Sequence, residues 1–179
     1  AFDMLERTYT KTDNILFVVK AKDDNVFQPA TLDIIKQMTE EAWKMPFSSR
    51  VDSVTNYQHT YAEEDDLTVR DLVPDPLSLT AEELAYVRDV AVSDPLIAKR
   101  LVAENGATTG IFVTLLIPDG TNSPEGPVMA YSRAMVAKYM ALDPNLTIVL
   151  TGITALNNAF VETSLDDMRV LTPLMYLFL

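Results

Sequence analysis

The residues that could carry out bond chemistry are few, and their spacing matches no catalytic motif. His59 is the only histidine, and the chain contains no cysteine. Because zinc sites take several Cys or His ligands, one histidine cannot build such a site, and disulfides and thiol catalysis are excluded. The sequence also lacks the G-x-S-x-G motif of serine hydrolases and the glycine-rich loops that bind nucleotide phosphates. We therefore expect no enzymatic activity, no metal and no cofactor.

Two acidic clusters could in principle bind a cation or share a proton. Residues 63–66 (EEDD) lack the spaced carboxylates and the turn glycine of a calcium loop, so a solvated hairpin tip is the better interpretation. Asp166 and Asp167 are adjacent on a predicted helix, so their side chains point apart and do not form a catalytic pair. Neither cluster predicts a metal or catalytic site.

Large apolar and aromatic side chains are the more promising candidates for function. Trp43 lies near the end of a predicted amphipathic helix, with Met45 and Phe47 just after it. Methionine and aromatic side chains suit adaptable apolar binding surfaces, although helical periodicity places most of them in a core. The residues predicted to contact a hydrophobic cargo or a partner are Trp43, Met45, Phe47, Tyr57, Tyr131, Met135 and Tyr139.

Length and composition limit the class of protein. The chain has 179 residues, 48% of them hydrophobic, which is enough for one domain with a real core. Its net charge of −12 argues against binding to nucleic acid and against broad adhesion to anionic lipid, since both need clustered Lys and Arg.

The first third of the chain predicts a β-α-β unit. Residues 14–21 (NILFVVKA) are typical of a buried strand, and residues 28–31 open a helix that Pro46 ends. Residues 51–55 alternate in polarity and predict a second strand. One face of the helix carries Leu32, Ile35, Met38 and Ala42.

The middle third is less regular. Residues 61–70 predict a hairpin with an acidic turn, and residues 80–83 (TAEE) form a capping box that opens a helix. Asp94-Pro95 predicts a further short helix. Asn105-Gly106 predicts a hairpin turn between a short strand near residues 101–102 and a longer strand.

The last third repeats the β-α-β order. A strand over residues 111–117, a helix over 128–142 and a strand over 146–151 are predicted in turn. Residues 153–179 then predict one long helix, which begins amphipathic and ends wholly apolar.

These elements predict an α+β fold of the ferredoxin-like, split βαβ type. The expected porter-type core consists of residues 14–56 and 107–152, with an inserted hairpin and helical subdomain at 57–106. Residues 1–13 and 153–179 are expected to connect to flanking transmembrane helices. The apolar run at 170–179 supports this expectation. It is shorter than the roughly 20 residues that span a bilayer, so we interpret it as the beginning of a transmembrane helix.

Several segments carry a family resemblance. They are NILFVVKA, FQPATLDIIKQMTEEAWKMPFSSRVDSVTNYQHT, DDLTVRDLVPD, TAEELAYVRDVAVSDPLIAKRLVAENGATTGIFVTLLIP and LTIVLTGITALNNAF, which leads into DDMRVLTPLMYLFL. Together they resemble the first large periplasmic loop of an RND-superfamily exporter, closest to the MMPL and Patched-like branch. The most specific pieces are VDSVTNYQ, the pair Thr151-Gly152, and the step from Asp167 to Pro173.

The resemblance implies a function in transport. Such a domain lies at the periplasmic face of the bacterial inner membrane and packs against a second periplasmic loop of the same transporter. It implies a lipid-like cargo such as a sterol or hopanoid, moved by proton-driven membrane helices. The alternative is a docking domain that binds no cargo and recruits a periplasmic lipid carrier or a sister subunit.

Overall fold

A computed structural model of the chain describes residues 13–63, 66–118 and 120–178. Their fold is α+β, as the sequence predicts, with a four-stranded antiparallel sheet, a two-stranded hairpin and four α-helices in the described ranges. In chain order the elements are β1 (Asp13–Ala21), α1 (Pro29–Ala42), β2 (Ser48–Asp52), β3 (Gln58–Glu63), β4 (Asp66–Asp71), a 3-10 turn (Pro76–Ser78), α2 (Ala81–Ser93), β5 (Thr108–Leu115), α3 (Glu125–Leu142), β6 (Leu146–Thr151) and α4 (Ile153–Phe178).

The sheet order is β2-β5-β1-β6, and each neighbouring pair is antiparallel. Strand β1 therefore lies between β5 and β6, although a long stretch of chain separates it from both. Helix α1 follows β1 and helix α3 follows β5, so two β-α-β units interleave their strands in one sheet. The hairpin and α2 are inserted between β2 and β5.

The two faces of the sheet differ because successive side chains of a strand point to opposite sides. On β1, Ile15, Phe17 and Val19 are fully buried, and they align with equally buried residues of β5. Helices α1 and α3 cover this face and contact each other. The opposite face carries Leu16 and its β5 partner Phe112, both only half-buried.

The predicted core face of α1 is confirmed. Pro29 begins the helix, where its missing N–H costs nothing. All four residues predicted to share the buried face are indeed buried: Leu32, Ile35, Met38 and Ala42.

Two predictions about strands and helices are wrong in detail. Strand β2 covers Ser48–Asp52, not residues 51–55, because the chain turns at Ser53, whose N–H donates to the Asn56 Oδ1 atom at 2.8 Å. The segment after Asp94 forms successive turns instead of a helix. Lys99 has a φ of +63°, a left-handed conformation that no regular α-helix tolerates.

The predictions for the hairpin and for helix α2, both in the insertion at 57–106, agree more closely with the structure. The hairpin is present as β3 and β4, and its residues 64–65 lie outside the described residues. The capping box opens α2: the Thr80 hydroxyl accepts from the Glu83 N–H, and the Glu83 carboxylate accepts from the Thr80 N–H. Gly106 makes the predicted turn with a φ of +69°, and a single-residue bridge between Val102 and Thr109 stands where the short strand was predicted.

Helix α4 is long and only partly packed. Its first turns pack on α3, β1 and β6, with Thr154 and Asn158 buried. Arg133 of α3 forms a bidentate ion pair with Glu162, both N–O distances being 2.8 Å. From Phe160 to Tyr176 the large apolar side chains are exposed. Within the described ranges, no helix combines the length and apolar character needed to cross a membrane. Of residues 1–13, predicted as the other connection, Asp13 is the first residue of β1, and residues 1–12 lie outside the described part of the chain.

Candidate functional site

The seven residues singled out from the sequence do not form one surface. Met45, Met135 and Tyr139 are buried in the core, so a ligand would have to open the core to reach them. Trp43 is 49% exposed at the C-terminal cap of α1, and Phe47 is half-buried.

Three of the seven lie at the contact between α3 and the C-terminal end of α1. The Tyr131 hydroxyl donates to the Glu41 carbonyl oxygen at 3.1 Å, and the Tyr139 hydroxyl donates to the Glu41 carboxylate at 2.8 Å. The Met45 sulfur lies 3.9 Å from the Ser132 hydroxyl. Burial, reinforced by the bond to Glu41, raises the pKa of Tyr139, so its hydroxyl stays a donor. These contacts fix one helix on the other.

Tyr57 lies elsewhere and lines a groove on the open face of the sheet. This groove has a volume of about 460 Å³, within the range of small-molecule sites. It is lined by Leu16, Arg50, Asp52, Tyr57, Leu96, Ile97, Arg100, Leu101 and Phe112. An adjoining hollow of about 320 Å³ shares part of this lining and extends it past Ser53, Asn56 and Gln58.

The floor of the groove is the half-buried face of the sheet, with Leu16 of β1 beside Phe112 of β5. The segment over residues 94–102 forms one wall. It approaches the sheet closely because the Gly110 N–H donates to the Leu101 carbonyl at 2.6 Å, and the Thr109 hydroxyl donates to the same oxygen. A Cβ at Gly110 would lie 2.9 Å from the Leu16 Cδ1 atom. Glycine at this position therefore leaves room for the Leu16 side chain in the floor of the groove.

The other wall is the turn that follows β2, which the VDSVTNYQ motif encodes. The Asn56 amide donates to the Val51 carbonyl at 2.7 Å and accepts from Ser53, so one side chain closes the turn. Beneath it, the Thr39 hydroxyl of α1 contacts the Ser53 hydroxyl at 2.9 Å. The turn is therefore tied to both β2 and α1, and it places Tyr57 at the groove.

Tyr57 joins the two walls. Its hydroxyl donates to the Asp94 Oδ2 atom at 2.6 Å, while Asp94 Oδ1 accepts from the Leu96 N–H at 2.9 Å. Burial, followed by the bond to Asp94, raises the pKa of Tyr57 to about 12. The bond from Tyr57 in turn lowers the pKa of Asp94.

We expect burial, together with the bond to Asp94, to raise the alkaline titration midpoint of Tyr57. Because the folded-state pKa of Tyr57 is raised above its usual value of 10, its contribution to stability is present below pH 10 and is lost as pH rises towards 12. NMR titration of the Tyr57 ring carbon should give a midpoint near 12. In Asp94→Asn the midpoint should fall towards 10. A wild-type midpoint near 10 would contradict the bond.

Charged groups also line the groove. Arg50 pairs with Asp52 at 2.8 Å, and Arg100 lies beside Leu101 in the wall. His59 is outside the groove, with its Nε2 atom 3.0 Å from the Tyr86 hydroxyl. Across the described residues, no three His, Asp or Glu side chains converge as a metal site would require.

The sequence reasoning missed the groove residues other than Tyr57. Leu16 and Phe112 belong to continuous apolar runs, so the sequence does not separate the covered face from the open one. The exposed Leu96 beside the Asp94-Pro95 turn was the available signal, since an apolar side chain in a polar turn has no core to enter.

Comparison with known proteins supplies no family. No protein-family model matches the sequence. No curated protein matches it significantly.

Proposed function

We propose that the chain is the extracytoplasmic domain of an RND-type inner-membrane transporter, and that it binds a hydrophobic, lipid-like cargo. The observation that carries the proposal is the groove on the half-buried face of the sheet. Its floor is apolar and one wall contributes Leu96, Ile97 and Leu101, while Arg50, Asp52, Tyr57 and Arg100 add a few polar groups to the lining. This combination suits a site that removes an apolar ligand from water and orients one polar end. A sterol or hopanoid with one hydroxyl has this chemistry.

We further propose that the core is of the ferredoxin-like, porter type. The sheet order β2-β5-β1-β6 and the two interleaved β-α-β units support this architecture. The exposed apolar side chains on the second half of α4 support a place in a larger assembly, because isolated domains rarely leave such a surface uncovered. The second periplasmic loop and the adjoining membrane part of the transporter are the proposed neighbours, at the periplasmic face of the inner membrane.

The exposed apolar side chains on the second half of α4 also favour the docking alternative, in which the domain recruits a lipid carrier or a sister subunit. The two functions differ in what occupies the groove. A docking domain needs no ligand there, whereas a cargo-binding domain does.

Binding of straight-chain alcohols tests the proposal. Octanol, decanol and dodecanol should bind one site, with affinity rising about fourfold per added CH₂, because each buried CH₂ contributes about 0.8 kcal/mol. Leu96→Asp should weaken decanol binding about tenfold, since it places a charge beside the apolar wall. Leu96 is 63% exposed, so this change should leave the fold intact. Isothermal titration calorimetry measures both effects.

The matched control is Leu77→Asp, which makes the same change at a leucine that is 65% exposed and outside the groove. It should leave decanol affinity within twofold of wild type. Equal losses in the two variants would place binding elsewhere. If the wild-type chain binds none of the alcohols, and no sterol or hopanoid, the docking alternative is favoured.

A further inference from the structure

We propose that the ligand of the groove is an amphiphile with one carboxylate headgroup, and that Arg100 binds this headgroup while the apolar chain lies over Leu16 and Phe112. This inference rests on the proposed function, because it specifies the polar end of the ligand for the same site. It concerns a different residue and a different interaction from those that the alcohol series tests.

The first observation is the state of the Arg100 side chain. Other basic residues near the site or on neighbouring elements are paired: Arg50 with Asp52 at 2.8 Å, and Lys99 with Glu104 at 2.6 Å. Within residues 13–63, 66–118 and 120–178, the Arg100 guanidinium has no ion pair or hydrogen bond, and it lines the groove. Its charge is thus available to a ligand.

The second observation is the charge of the lining. Arg50 and Arg100 face a single lining carboxylate, that of Asp52, so the lining carries a net +1 on a chain of net charge −12. Asp94, at the base of the same wall, is already engaged through both oxygens with Tyr57 and Leu96. These hydrogen bonds leave the Asp94 charge in place, but Asp94 does not line the groove and forms no ion pair with Arg100 among the described residues. A local excess of positive charge on an acidic protein favours an anionic ligand.

The third observation is the order of polar and apolar groups. Arg100 is adjacent in sequence to Leu101, and both line the groove together with Leu96 and Ile97 of the same wall. A guanidinium presents a planar fork that matches the two oxygens of a carboxylate. One available guanidinium next to an apolar floor suits a singly charged headgroup with one alkyl chain.

Decanoate and decanol provide a direct comparison, because they share chain length and differ in headgroup. At low ionic strength and below the micelle concentration, wild-type chain should bind decanoate about tenfold more tightly than decanol. Arg100→Gln should remove this preference by lowering decanoate affinity about tenfold, and it should lower decanol affinity much less. Raising the salt concentration should weaken decanoate binding only, because salt screens the ion pair.

Arg169→Gln is the matched control. It makes the same charge change on α4, where Arg169 forms an exposed pair with Asp166, and it should leave the affinity for both ligands unchanged. Thermal unfolding followed by circular dichroism should show near wild-type stability for Arg100→Gln, since no hydrogen bond or ion pair of this side chain within the described residues is lost.

The outcomes separate the two proposals. Equal affinity for decanol and decanoate, or a decanoate affinity insensitive to Arg100→Gln, would overturn the carboxylate inference and leave the apolar groove in place. Failure of both ligands to bind would overturn the proposed function as well. Equal loss of both ligands in Arg100→Gln would show that Arg100 shapes the groove and does not recognise charge.

Discussion

Replacing Gly152 with alanine is expected to destabilise the protein by about 3–5 kcal/mol, one of the largest effects of any single change here. Gly152 has a φ of +109°, which L-residues rarely adopt. A Cβ at this position would lie 2.6 Å from the Asn14 carbonyl oxygen and 3.1 Å from the Ile15 Cα atom. Both neighbours belong to the backbone of the central strand, so neither can move without disturbing the sheet.

The position matters because α4 starts there. The Ile153 N–H donates to the Asn14 Oδ1 atom at 3.2 Å, which ties the first turn of α4 to β1. An added methyl group would separate the start of α4 from β1, and it would weaken the packing of both α4 and strand β6 against the rest of the sheet. Chemical denaturation should report the loss, and Tm should fall by roughly 2–4 °C for each kcal/mol lost in a chain of this size.

Gly126→Ala is the control for Gly152→Ala. Gly126 lies in the first turn of α3, and nothing lies within 4 Å of a Cβ built there. Alanine at that position should be neutral or should stabilise the protein by up to about 1 kcal/mol, because it restricts the unfolded chain. Similar stability of the two variants would contradict the close contact at Gly152.

Replacing Asn56 with alanine is expected to cost about 2–3 kcal/mol of stability and to weaken ligand binding. The change removes the bonds to the Val51 carbonyl and to the Ser53 N–H, and it leaves these partly buried backbone groups without their partner. Because the turn then loosens, Tyr57 loses its fixed place at the groove. Decanol affinity should fall at temperatures where the variant is still folded.

Asn157→Ala serves as the control for Asn56→Ala. Asn157 is exposed on α4, so its replacement by a strong helix former should change stability by less than about 1 kcal/mol. An Asn56→Ala protein with wild-type stability would show that the turn does not depend on its amide.

Local elements followed from local signals in the sequence. The periodicity of α1 identified its buried residues, and the capping box at Thr80 marked the start of α2. Each of these signals lies within a few residues of the structure it predicts, so no knowledge of the rest of the fold was needed.

The groove could not be predicted in this way, because residues far apart in sequence build it. Leu16 meets Phe112 through strand pairing, and the wall around Leu101 arrives from the insertion. The apolar run at residues 14–21 predicted a buried strand, yet Leu16 lies on a half-covered face. Similarly, Met135 and Tyr139 have the composition of a binding surface but pack in the core, since apolar residue type alone does not distinguish the two.

The position of a bound ligand tests most directly whether the groove on the sheet binds the alkyl chain. In a sample with labelled leucine methyl groups and bound decanol, nuclear Overhauser effects locate the alkyl chain. If the alkyl chain binds in the groove, the ligand should contact the methyl groups of Leu16, Leu96 and Leu101. Contacts only to Leu171 and Leu174, on the exposed part of α4, would contradict it, because the alcohol would then bind the helix and not the groove.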